Sequence, residues 1–154
     1  MNIIDDIDRK LLHQLQLDGR ITNQELAQRV GLSPAGCLER VKRLRERKII
    51  RRFTVEIDPK AVDLALLIFV EVSLDKTTDR SLGDFAAIVK QTPEILECHM
   101  VAGGFDYLLK ARVKDMEAYR AFLGDRLFSL PGLKETRTYA VLEEVKTSSL
   151  LPVK

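Results

Sequence analysis

The stretch from Arg40 to Arg52 carries eight cations, Arg40, Lys42, Arg43, Arg45, Arg47, Lys48, Arg51 and Arg52, against one acid, Glu46. Val41, Leu44 and Ile49 interrupt them at spacings that keep one helical face apolar, which places the charge on a folded surface. Guanidinium and ammonium groups at this density grip phosphates, and a nucleic acid is the polyanion that fits. The other chemistry-bearing residues are sparse. His13 falls in a helical pattern and His99 in a strand, neither with a partner for acid–base or nucleophilic work. Cys98 and His99 are adjacent, so on a strand they face opposite sides and do not share a metal ion. The chain is therefore expected not to be an enzyme and to hold neither metal nor cofactor.

Charge and composition support this division of labour. Residues 1–60 hold 13 Lys/Arg against 9 Asp/Glu, whereas the remainder is slightly acidic although the whole chain is +2. The basic character thus belongs to the N-terminal third of an otherwise ordinary globular composition. Two cysteines, Cys37 and Cys98, are too few for a disulfide scaffold and sit in apolar patterns that suit reduced thiols. No apolar run reaches the roughly 18–20 residues that span a bilayer, and the opening residues lack the basic start of a signal peptide. A cytoplasmic protein without membrane partners is expected.

Three helices must position the basic run. Ile4, Ile7, Leu11 and Leu15 recur at helical spacing, with Asp5 or Asp6 as cap and Asp18-Gly19 as stop. Thr22-Asn23-Gln24-Glu25 reads as a capping box with an Ile21–Leu26 staple, and Gly31 ends the second helix. Ser33 caps the third, Pro34 takes its first position, and Cys37, Leu38, Val41 and Leu44 form its inner stripe. Two capped helices around a glycine turn specify a helix-turn-helix. Its third helix offers Ser33, Ala35, Gly36, Arg40 and Arg43 as the leading DNA contacts, with Arg47, Arg51 and Arg52 as phosphate contacts. Residues 51–57 then alternate as a wing or interdomain strand, closed by Asp58-Pro59.

From Leu66 the pattern becomes strand, helix, strand, strand, helix, strand. The strands are expected over residues 67–74, Ile95 to Ala102, Tyr107 to Val113 and about Glu135 to Val145. One helix carries Leu82, Phe85, Ala86 and Val89, and the other Met116, Tyr119, Leu123, Leu127 and Leu130. This βαββαβ order is the ferredoxin-like plan, an antiparallel sheet with two helices on one face. The fold class is α+β, with a helix-turn-helix domain over 1–52, a linking strand and turn over 53–65, and the ferredoxin-like domain over 66–154. The uncovered sheet face, and the need of palindromic DNA for two reading heads, both point to a homodimer.

These stretches resemble the Lrp/AsnC family of transcription regulators. The resemblance spans about residues 5–150 and rests on Asp6-Ile7-Asp8-Arg9, Gly31-Leu32-Ser33-Pro34, the run Cys37 to Leu44, Gly104-Phe105-Asp106-Tyr107-Leu108-Leu109, and Thr136 to Lys146. It implies a DNA-binding helix-turn-helix, a domain that senses a small amino-acid effector, and dimers that assemble into tetramers or octamers. It also implies an effector pocket between dimers, lined by Gly103, Gly104, Asp106 and Tyr107 from the turn and by Thr138, Tyr139, Ala140 and Val141 from the last strand. Amides at Gly103 and Gly104 would meet a carboxylate and Asp106 an ammonium, and Ala140 and Val141 would suit leucine or another apolar amino acid. From the residues alone the favoured reading is that Gly103-Gly104 makes a tight turn that Asp106 caps, and only the resemblance reverses it. Ala35-Gly36 stands where relatives commonly carry Thr-Pro, a departure that bears on which operator is read.

Two competing uses are weaker. RNA binding by a ferredoxin-like sheet calls for exposed aromatic residues on the middle strands, and Ile95 to Val113 supplies only Phe105 and Tyr107. A chromosome-organising protein that wraps double-stranded DNA with little sequence preference would use the same basic helix.

Overall fold

A computed structural model of the chain describes residues 4–75 and 79–153. The first three residues of the expected non-secretory start lie outside them. The chain divides into two compact units, residues 1–56 together with 146–154, and residues 57–145. The C-terminal tail thus packs with the N-terminal unit. The cause is a reciprocal pair of hydrogen bonds: Gln16 Nε2 donates to the Leu151 carbonyl at 3.1 Å, and the Leu151 amide donates to Gln16 Oε1 at 2.7 Å. One side-chain amide thereby satisfies both backbone groups of a tail residue, as a neighbouring strand would.

The first unit is built on α1 (Asp6–Leu17), α2 (Asn23–Val30) and α3 (Pro34–Glu46). Asp5 caps α1 through a reciprocal box with Asp8, its Oδ1 accepting from the Asp8 amide at 2.8 Å. Thr22 caps α2 by accepting from the Glu25 amide. The expected return bond is replaced, because the Glu25 carboxylate pairs with Arg29 one turn on, at 2.6 Å. Gly31 ends α2 at φ 73°, a left-handed conformation that a side chain would strain. Leu11, Leu26, Ala27, Val30 and Cys37 form the core of these helices, and burial pushes the Cys37 thiol pKa up.

Residues 51–58 form no strand among the described residues, and Phe53, Val55 and Ile57 are exposed. The alternation is present in the sequence, but a strand needs a partner for its backbone groups and the single chain offers none there. A short 3₁₀ turn, Pro59–Val62, follows, with Asp58 accepting from the Lys60 amide.

In the second unit, β1 (Leu66–Leu74), β2 (Ile95–Met100), β3 (Tyr107–Val113) and β4 (Leu133–Ala140) form one antiparallel sheet in the order β2-β3-β1-β4. With α4 (Asp79–Gln91) and α5 (Met116–Phe122) this is the expected βαββαβ chain. Alternate residues Ile68, Val70, Val72 and Leu74 of β1, and Tyr107, Leu109, Ala111 and Val113 of β3, pack with Phe85 and Val89 of α4 and Tyr119 and Phe122 of α5. Phe85 is fully buried and its ring stacks on Tyr107 at 4.5 Å. Phe85→Ala should therefore destabilise this unit by about 3–5 kcal/mol, measured by chemical denaturation.

Two elements end earlier than the sequence suggests. Strand β2 stops at Met100, before the expected Ala102. Strand β4 stops at Ala140, short of the expected Val145, and one further bond runs from the Val141 amide to the Leu67 carbonyl. Glu144, expected in the strand, instead accepts a two-oxygen grip from the largely buried Arg112 at 2.7 Å. Helix α5 passes at Leu123 into a π-helical turn, Leu123–Leu127. This resets the buried row to Tyr119, Phe122, Leu127 and Leu130, and its gap of five residues replaces the expected regular spacing through Leu123.

Candidate functional site

The expected DNA contacts divide into two groups on α3. Ser33 is the N-cap, its hydroxyl accepting from the Gly36 amide at 3.2 Å, and a Cβ at Gly36 would meet that oxygen at 3.2 Å. Gly36 thus makes room for the cap that starts the helix. Asn23 of α2 donates to the Pro34 carbonyl at 2.8 Å and fixes this end of α3 against its neighbour. Ser33 and Ala35 are exposed at the tip of the element.

Arg40 and Arg43, expected to project outward, are paired with acids at the start of α1. Arg40 Nη1 donates to Asp5 Oδ2 at 2.6 Å and to Asp8 Oδ1 at 2.9 Å, and Arg43 Nη2 reaches both Asp8 oxygens at 3.1 and 3.2 Å. Asp8 is 2% exposed. A carboxylate buried to that degree requires paired charge, and two guanidinium groups supply it, fastening α3 to the start of α1. Side-chain hydrogen bonding to Arg40 is the main cause of the lowered Asp5 pKa. Since the folded value lies below the ordinary 3.8, Asp5 contributes stability at higher pH that is lost as the pH falls through the folded value. Below about pH 4, the melting temperature of the first unit should fall more steeply for wild type than for Asp5→Asn.

The outward face of α3 is instead Ala35, Leu38, Glu39, Lys42, Arg45 and Glu46, all exposed. Leu38, expected in the inner stripe, is 60% exposed because Cys37, Val41 and Leu44 already fill the inner side. Among the described residues, Lys42 has only a long, exposed pairing with Glu46 at 3.9 Å. Arg47 stands at the C-cap, and Arg51 and Arg52 follow, exposed, outside any helix or strand. The first unit therefore presents a capped helix N-terminus together with the exposed cations Lys42, Arg45, Arg51 and Arg52, as a duplex reader requires.

In the second unit, β2 and β3 are joined through residues 101–106. The Val101 amide donates to the Asp106 carbonyl, and the Asp106 amide to the Val72 carbonyl, each at 3.0 Å. Asp106 Oδ2 accepts from the Leu74 amide at 2.7 Å, where the pairing of β1 with β4 shifts register. Neither Gly103 nor Gly104 has a positive φ, and a Cβ on either would meet nothing within 4 Å. Their amides make no backbone hydrogen bond among the described residues. The fold itself demands glycine at neither position. Tyr107 is 5% exposed and belongs to the core, so its ring serves the helix layer first.

The last-strand residues straddle the sheet. Thr138 lies on the helix side, within 2.5 Å of the Tyr119 hydroxyl, and Ala140 shares that side. Tyr139 lies on the other side, where its hydroxyl donates to Glu71 at 3.0 Å. The two halves of the expected effector site do not meet within one chain. Tyr107 and Thr136 both register with Val72, so residues 138–141 are displaced two to five positions along β4 and two strands across. That separates them by roughly 10–20 Å.

Among the described residues there is no group of three His, Cys, Asp or Glu able to hold a metal ion, and no helix is long and apolar enough to cross a membrane. A helix-turn-helix unit with an outward basic face, joined to a ferredoxin-like unit, defines a DNA-binding regulator. Residues 4–45 match the AsnC-type helix-turn-helix domain and residues 67–151 the Lrp/AsnC ligand binding domain. The chain belongs to the Lrp/AsnC family of transcription regulators. It is 52% identical to the leucine-responsive regulatory protein of Salmonella typhimurium and 51% identical to that of Escherichia coli K12, each over 98% of this chain and 92% of the relative. It also superposes, with a TM-score of 0.91 and 40% identity over 97% of this chain and 96% of the other, on the transcriptional regulator NMB0573 of Neisseria meningitidis solved as an L-Met complex. These relatives are named as regulatory proteins and not as enzymes.

Proposed function

We propose that this chain is a cytoplasmic, sequence-specific regulator whose grip on double-stranded DNA responds to a small amino acid, leucine or another with an apolar side chain. The observation that carries the effector reading is the pair Gly103 and Gly104, which the fold does not need and whose amides make no backbone hydrogen bond among the described residues. Two such donors suit a carboxylate. The unshared Oδ1 of Asp106 suits the adjacent ammonium, since Oδ2 already holds the Leu74 amide. The bound L-Met of the Neisseria relative supports the same ligand class.

Because the turn and the end of β4 are far apart in one chain, the pocket closes only where Thr138, Tyr139, Ala140 or Val141 of another copy approaches the turn. This reading requires a homodimer that assembles further to a tetramer or octamer. An effector held between copies shifts the assembly equilibrium to the extent that it binds one state better. Ser33 and Ala35 approach the base edges, while Arg47, Arg51 and Arg52 serve the phosphates. Footprinting on genomic fragments, with and without L-leucine and L-methionine, tests the proposal. Protection of discrete sites that changes with amino acid is expected; continuous protection indifferent to both would favour an architectural DNA-wrapping role.

A further inference from the structure

The outward face of α3 carries two residues that phosphate binding does not explain. Leu38 is 60% exposed on a helix whose inner row is already complete, so it gives nothing to the core. Glu39 beside it is exposed, and its carboxylate has no hydrogen bond or ion pair among the described residues. A carboxylate directed at a duplex is repelled by every phosphate. It is favoured only opposite a base-edge donor, and in the major groove that is the N4 amino group of cytosine. An unhydrated leucine is favoured beside the one apolar group that the groove offers, the C5 methyl of thymine.

Resting on the reading of this unit as a duplex-DNA reader, we propose that Leu38 and Glu39 are specificity-determining residues, Leu38 reading a thymine methyl and Glu39 a cytosine amino group. Both lie in the first two turns of α3, the part of a recognition helix that reaches base edges. As consecutive helical residues their side chains diverge by about 100° and so reach different base pairs. Ala35, one turn before Leu38, leaves space for the helix to settle into the groove, and Lys42, one turn after, reaches back to the strand. Arg40 and Arg43 are held by Asp5 and Asp8.

The full chain is first used to select its preferred duplex from a randomised pool. That duplex is then resynthesised with each thymine replaced singly by deoxyuridine, which removes only the methyl group. One replacement should weaken wild type about 5–10-fold and leave Leu38→Ala unaffected, a size in keeping with single base-edge contacts. Glu39→Gln should shift the preferred pair at one position from C·G to A·T, since a carboxamide pairs with adenine. On random-sequence duplex Glu39→Gln should bind more tightly than wild type, because it removes a charge that every phosphate repels, and the exposure of both side chains leaves folding untouched. If wild type and Leu38→Ala respond alike to every replacement, or if Glu39→Gln leaves the preferred sequence unchanged, the assignment is overturned. Failure of wild type to bind any duplex would be a separate result, refuting the DNA-binding role itself.

Discussion

Replacing Lys42 and Arg45 together by Ala should leave the melting temperature of the N-terminal unit unchanged while lowering affinity for every duplex. The salt dependence should flatten by about one unit of slope for each phosphate that is no longer neutralised. Replacing Arg40 and Arg43 together should do the opposite first. Those guanidinium groups hold Asp8, which is almost fully buried, and their removal strands its charge. Hydrogen bonds between charged groups contribute about 1.5–3 kcal/mol each. The arginine side chains are themselves 25% and 40% exposed, so solvent screening reduces the combined loss to about 2 kcal/mol. In a unit of this size that corresponds to roughly 10 °C in melting temperature. DNA binding would weaken as a consequence, because α3 loses its anchor on α1. The contrast distinguishes cations that grip a ligand from cations that hold the reader together; equal melting temperatures for the two double variants would refute it.

The second large effect concerns Asp106. Asp106→Asn keeps a carbonyl oxygen for the Leu74 amide and removes only the charge. It should retain fold and DNA affinity while weakening amino-acid binding by roughly 10–100-fold, the scale of one charge-assisted hydrogen bond. Asp106→Ala should lose the ligand as well and also loosen the register shift between β1 and β4, with a lower melting temperature. Calorimetric titration with L-leucine and L-methionine separates these outcomes. Unaltered affinity in the Asn variant would dismiss Asp106 as the ammonium partner.

Much of the fold was legible because it rests on local signals. Asp5, Thr22 and Ser33 cap the helices expected of them, Gly31 adopts the left-handed turn, and the period-two alternation of β1 and β3 places Ile68, Val70, Leu109 and Ala111 in the core. Periodicity was ambiguous where two rows share a helix. Cys37, Leu38, Val41 and Leu44 all fit one stripe, and only packing against α1 and α2 decides that Leu38 is the one excluded. The roles of Arg40 and Arg43 were hidden for a related reason, since Asp5 and Asp8 lie more than thirty residues away in sequence. A basic run looks the same whether its charges meet phosphate or a buried acid. The docking of Leu151 on Gln16, 135 residues distant, carries no local signal at all.

Of the effector site, the residue types were readable and the geometry was not. The alternation of β4 puts Thr138 and Tyr139 on opposite faces of the sheet, and the pairing register sets both away from Asp106. A sequence pattern assigns residues to a pocket without fixing which chain supplies them.

The central claim is that the N-terminal unit reads duplex DNA with the outward face of α3. Fluorescence titration of the full chain with a labelled genomic duplex, repeated between about 50 and 200 mM salt, tests it most directly. Saturable binding in dilute salt is predicted, weakening at least about a thousandfold over that range for a pair of reading heads. An absence of binding in dilute buffer, or an affinity indifferent to salt, would contradict it.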